Sequence, residues 1–100
     1  MGLDKPSEFT NVTEAKEDAI LVILQRIRNS GTGLPGEDGA RHWSNLRGDD
    51  LLQYTETFVS DPILWERVPV SFEGSTSLQM TGYNRSDLKA ELEALIESCR

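Results

Sequence analysis

Residues Gly31-Thr32-Gly33-Leu34-Pro35-Gly36 spell G-x-G-x-x-G, the glycine spacing that lets a backbone approach the pyrophosphate of a dinucleotide. The apolar run Ala19 to Leu24 lies ahead of it and has the composition of a strand. The context fails on three counts. Gln25 to Ser30 intervene where the strand should run straight into the glycines, and Pro35 stiffens the loop with no helical period after Gly36. Glu37 and Asp38 then place negative charge where a phosphate would sit. The expectation is no nucleotide and no other cofactor, with residues 29–40 a flexible or partner-binding loop.

His42-Trp43-Ser44, with Asp38 and Cys99 elsewhere, supplies the residue types of a nucleophile and its base. No nucleophile stands in a recognisable elbow or signature. Cys99 falls on a leucine stripe, where a thiol serves as a small hydrophobe, and His42 reads as a surface or loop residue. One cysteine and one histidine exclude an internal disulfide and a multi-histidine metal site. Glu37-Asp38 lacks the alternating acids of a calcium loop, and Asp49-Asp50 is better explained by the dipole of a helix start. The expectation is neither an enzyme nor a metal protein.

Charge is the remaining chemical signal. The chain of 100 residues carries a net charge of −7. Residues 26–47 hold four arginines, Arg26, Arg28, Arg41 and Arg47, against two acids, and read as surface cations paired with nearby carboxylates. Residues 48–66 hold Asp49, Asp50, Glu56, Asp61 and Glu66 with no lysine or arginine, and Tyr54, Phe58 and Trp65 are interleaved. That pattern suggests an acidic docking face, Asp49, Asp50, Glu56, Asp61, Trp65 and Glu66, with Trp65 and Tyr54 as apolar anchors and the core as their competing destination. The overall charge argues against direct binding of nucleic acid or an anionic membrane.

These residues must be positioned by a small fold. Residues 1–10 read as a flexible leader and 11–100 as one globular domain. Asn11 and Glu14 have capping-box spacing ahead of a helix that runs to about Asn29. Its apolar arc is Ala15, Ala19, Ile20, Val22, Ile23, Leu24 and Ile27, while Leu21 falls on the polar arc. Arg41 to Leu46 make a helical turn that Gly48 breaks. A second helix starts at Asp49-Asp50, with Leu51, Leu52, Tyr54, Phe58 and Val59 inward and Asp49, Gln53, Glu56, Thr57 and Ser60 outward. Asp61-Pro62 starts a short helical piece from Ile63 to Arg67.

Val68 to Phe72 and Leu78 to Thr81 alternate with period two around a turn at Glu73 to Thr76, a β-hairpin. A last helix begins near Asn84 or Ser86, with Leu88, Leu92, Leu95 and Cys99 on one stripe and Ile96 beside it. The fold class is α+β, mostly helical, with three or four helices and one hairpin.

With no apolar leader and no membrane-length run, a cytoplasmic protein is the simplest expectation. The leading functional expectation is a noncatalytic protein-binding module, such as a small acidic inhibitor, immunity protein or adaptor acting on a basic protein partner. The alternatives are a homo-oligomeric assembly component, a homodimer included, held by the Leu88 to Cys99 stripe, and a small enzyme around His42.

Overall fold

The structure is a computed structural model, and it describes residues 9–39, 42–75 and 80–100. Its elements follow in chain order as α1 (Glu14–Asn29), a 3-10 turn (Trp43–Asn45), α2 (Asp49–Ser60), α3 (Pro62–Glu66), β1 (Ser71–Ser75), β2 (Met80–Asn84) and α4 (Arg85–Ser98). Four helices and a two-stranded antiparallel hairpin form a mostly helical α+β domain, as the patterning predicts. No helix among the described residues is long and apolar enough to cross a membrane.

Each helix starts where a side chain can accept an orphan backbone N–H. Thr13 caps α1 by accepting from Lys16 N–H at 3.2 Å, so the cap lies two residues beyond Asn11. Asn11 is engaged at long range instead. Its N–H donates to the Cys99 carbonyl at 2.9 Å and its Nδ2 to the Arg100 carbonyl at 2.8 Å. Lys16 Nζ adds bonds of 2.9 Å to the carbonyls of Asn11 and Ser98. The start of α1 is thus clasped to the end of α4.

Asp61 accepts from Ile63 N–H and Leu64 N–H at 2.9 and 3.2 Å, and Pro62 opens α3 where its missing N–H costs nothing. Asn84 accepts from Ser86 N–H at 2.8 Å at the head of α4. At α2 the cap is remote. Gly48, at φ +63, turns its N–H onto the Glu17 carboxylate of α1 at 2.6 Å.

One core joins all four helices. It takes Ile20, Ile23, Leu24 and Ile27 from α1, Leu51, Leu52, Phe58 and Val59 from α2, Trp65 from α3, and Leu88, Leu92 and Ile96 from α4. Trp43, Leu34 and Phe9 close it from the loops. Phe9 belongs by sequence to the expected leader, but its ring is buried under the Arg100 guanidinium, 5.1 Å away. Residues 1–8 of that leader lie outside the described residues.

Two sequence expectations shift, on α1 and in the hairpin, and α2 buries a polar residue that neither of its expected arcs names. Val22 is 48% exposed, whereas Leu21 packs against the core, so the buried arc of α1 is rotated from the one drawn. Thr55 is fully buried, and its hydroxyl is satisfied by donating to the Leu51 carbonyl at 2.8 Å. The hairpin ladder starts at Ser71, with Ser71 opposite Asn84 and Phe72 opposite Tyr83, so Glu73, Gly74 and Ser75 lie in the strand and not in the turn. Val68 is drawn into the core, and Arg85 Nη1 binds the Val68 carbonyl at 2.9 Å, which takes that stretch out of the ladder. Thr76, Leu78 and Gln79 of the expected hairpin lie outside the described residues.

Candidate functional site

The glycine loop follows a helix, not a strand, and its polar groups are turned onto the protein. Thr32 Oγ1 donates to the Arg67 carbonyl at 3.2 Å, and Leu34 fills the core. The Pro35 carbonyl accepts from the Tyr54 hydroxyl at 2.5 Å, and the Gly36 carbonyl from Trp43 N–H at 3.1 Å. Glu37 accepts from Arg28 Nε at 2.7 Å and from the Trp43 indole at 3.4 Å.

Burial pushes the Glu37 carboxyl up. Hydrogen bonds from Trp43 and Arg28, the Arg28 charge and the Leu34 backbone outweigh it and hold the group below the ordinary glutamate value. Burial, aided by the Glu37 charge, pushes the Tyr54 phenol well above its ordinary value. The loop is therefore a plug over α1 and α2.

His42 heads the 3-10 turn. Its Nδ1 accepts from Ser44 N–H at 3.1 Å and lies 2.8 Å from Ser44 Oγ. A hydroxyl on an imidazole is half of a nucleophile pair, but both contacts are two residues away in sequence and have the geometry of a cap. Among the described residues no carboxylate hydrogen-bonds the ring to orient it. Cys99 is fully buried beside Leu92 and Ile96 in the core cluster. Arg41 lies outside the described residues. Of the other arginines expected to meet nearby acids, Arg28 pairs with Glu37, Arg26 lies over the Tyr83 ring at 4.9 Å, and Arg47 donates to the carbonyls of Ser44 and Leu46.

The acidic segment is dispersed by the fold. Asp49 and Asp50 sit in the first turn of α2, close in sequence to the Glu17 contact at Gly48. Asp61 is committed to capping α3. Glu56 is ion-paired with Arg100, so the run without a base in sequence acquires one in space. Trp65 is only 7% exposed and meets Phe58 edge to face, with centroids 5.5 Å apart. It is a core residue and not a docking anchor, because α3 folds back onto α2. Tyr54 is half-buried with its hydroxyl bound. The exposed members are Asp50 and Glu66, and between them in sequence lies Ile63, 70% exposed and absent from the sequence expectation.

What the sequence could not group is the contribution of α4. Glu93 and Glu97 line one shallow groove with Glu56, Val59 and Ser60, and Glu56 and Ser60 line a second with Asp61 and Pro62. The packing of α2 on α4 thus makes a composite acidic face from Glu56, Asp61, Glu93 and Glu97. Arg100 sits at its edge, with its Nε 3.1 Å from Glu97 and its Nη2 on Glu56. The only sequence signal was that Glu93 and Glu97, one turn apart, lie off the leucine stripe.

Among the described residues no three histidine, cysteine or acidic side chains converge as a metal site. No family model matches the chain, and no curated protein or solved structure matches it.

Proposed function

We propose that the chain is a noncatalytic protein-binding module whose composite acidic face on α2, α3 and α4 takes a basic segment of a protein partner. The observation that supports this reading most is the seat of Arg100. One guanidinium already lies between carboxylates of two helices, Glu56 and Glu97, over the Phe9 ring. Planar cations suit such a seat, since paired carboxylates accept the guanidinium fork and an aromatic face attracts it. Glu93 and Asp61 extend the negative potential past that seat, toward further basic residues of a partner. Ile63, exposed on α3 one turn from Glu66, takes the role of apolar anchor that Trp65 cannot fill. An inhibitor, an immunity protein or an adaptor would all use such a face.

The test is affinity capture from cell extract by the wild-type chain and by a Glu93→Lys/Glu97→Lys variant. Both side chains are exposed, so the variant should keep its circular dichroism spectrum. The expected result is a protein retained by the wild-type chain at about 0.05 M salt, released by about 0.5 M, and lost in the variant. Equal retention by both chains at both salt concentrations would place the interface elsewhere.

The Leu88 to Cys99 stripe no longer supports assembly, because Leu88, Leu92 and Cys99 are spent on the core of one chain.

A further inference from the structure

Between α1 and the outer side of α4 runs an open apolar groove of about 570 Å³. Ala15, Ala19 and Val22 form its α1 edge, Ala94 and Leu95 its α4 edge with the Glu91 carboxylate beside them, and Ile23 its floor. Val22 is the large hydrophobic residue that α1 leaves exposed. The alanines keep side chains short, so another helix can approach closely there. Two charges stand on the α1 side of the groove, Asp18 one turn before Val22 and Arg26 one turn after it. They are eight residues apart, about 12 Å along the helix, and cannot reach one another. Among the described residues neither has an ion-pair partner, and Arg26 is steadied by the Tyr83 ring at 4.9 Å.

We propose that this groove is a self-association face, on which two copies of the chain pair α1 against α1, antiparallel about a twofold axis at Val22. A twofold contact requires that if residue i meets residue j, then j meets i. With Val22 opposite its own copy, every position n faces position 44 − n. Asp18 then faces the partner copy's Arg26, and Arg26 faces its Asp18. One contact forms two identical ion pairs, about 12 Å apart, on either side of a Val22–Val22 contact. A parallel arrangement would place Asp18 on Asp18 and Arg26 on Arg26. The face is complementary to itself in one orientation, and that identifies the occupant as a second copy. Three turns of helix and the Ala94–Leu95 edge make a small interface, so a weak dimer is expected. The acidic face on α2 and α4 points away from this contact through Glu93 and Glu97, so pairing and partner capture are independent.

The experiment is sedimentation equilibrium on four samples of the 100-residue chain: wild type, Asp18→Arg, Arg26→Asp, and the two variants mixed. Wild type should show a reversible, concentration-dependent rise in mass toward a dimer. Each single variant puts like charges opposite each other twice and should weaken self-association about tenfold or more. The mixture should recover heterodimer, because each variant supplies the charge that the other lacks. Circular dichroism checks that both variants are folded, and Val22→Glu, which places two carboxylates on the axis, provides a third disruption should either variant misfold. A wild-type chain that stays monomeric at millimolar concentration overturns the proposal. So does a dimer that Asp18→Arg, Arg26→Asp and Val22→Glu leave unchanged, or a mixture that fails to recover.

Discussion

The register of α4 decides which side chains reach each of its three surroundings, and Leu92→Ala tests it directly. Leu92 is fully buried, among the core side chains of α1 and α2. Truncation removes three carbons from a site with no solvent contact, a transfer loss of about 2.4 kcal/mol at ~0.8 kcal/mol per carbon. Close packing by rigid helices on both sides limits collapse, and a residual void of roughly 50 Å³ at ~24 cal/mol per Å³ adds about 1 kcal/mol.

The expected destabilisation is therefore about 3–4 kcal/mol. With a urea slope of about 1.5 kcal/mol/M for a domain of this size, the midpoint should fall by roughly 2 M while the slope is retained. Glu93→Ala is the paired control, one residue along and exposed on the acidic face, and should stay within about 0.5 kcal/mol of wild type. Leu95→Ala should fall between them, since Leu95 is half-buried at the edge of the α1 groove. Urea melts followed by tryptophan fluorescence, which reports Trp43 and Trp65 in the core, measure all three. Equal losses for Leu92→Ala and Glu93→Ala would refute the register and with it the placement of both faces.

Three further outcomes are expected. Asp61→Ala removes the acceptor of two N–H groups at the head of α3 and should cost about 1 kcal/mol in urea melts, whereas Asp61→Asn or Asp61→Ser should cost less; equal costs would mean that the cap is not formed. Glu37 is held below its ordinary value of 4.5, so its contribution is present above that value and is lost as pH falls through the lowered one; the urea-midpoint gap between wild type and Glu37→Gln should narrow as pH is lowered from neutral into the acid range, and a constant gap would deny the charge a role. Tyr54 is raised above its ordinary value of 10.0, so its contribution is full below that pH and is lost as pH rises further; one of the two tyrosines should gain tyrosinate absorbance only as the protein unfolds in alkali, and that delayed fraction should vanish in Tyr54→Phe.

The helices were legible because their signals are local. Asp61-Pro62 and Asn84 cap where they stand in sequence, and the periods of α1, α2 and α4 together name most of the core. The errors arise where a distant partner competes. Asn11 has the spacing of a cap, but Cys99 and Arg100 claim it, and Thr13 takes the cap. Val68 alternates with Val70 as a strand should, yet the core takes its side chain and Arg85 its carbonyl. Of the acidic site, the run from Asp49 to Glu66 was visible as composition. Its loss of Trp65 to Phe58, and its gain of Glu93, Glu97 and the Arg100 counter-charge, depend on how α2 lies on α4. No window along the chain contains that information.

The clasp between Asn11, Lys16 and the carbonyls of Ser98 and Arg100 has a consequence for the order in which the chain folds. Its contacts close a loop of 89 residues, and by the logarithmic cost of loop closure this takes about 2 kcal/mol more than closing a ten-residue turn. The β1–β2 hairpin and the adjoining turn into α4 need no such closure and can form early, as can the α2–α3 corner. On the ribosome α1 emerges before its partners, and its first turn cannot be tied down until Arg100 is free of the exit tunnel. Until then the apolar arc of α1 has neither α4 to pack on nor a fixed origin. The N-terminal helix should therefore be the last to dock, and the interval before it docks is when the chain is most exposed to aggregation.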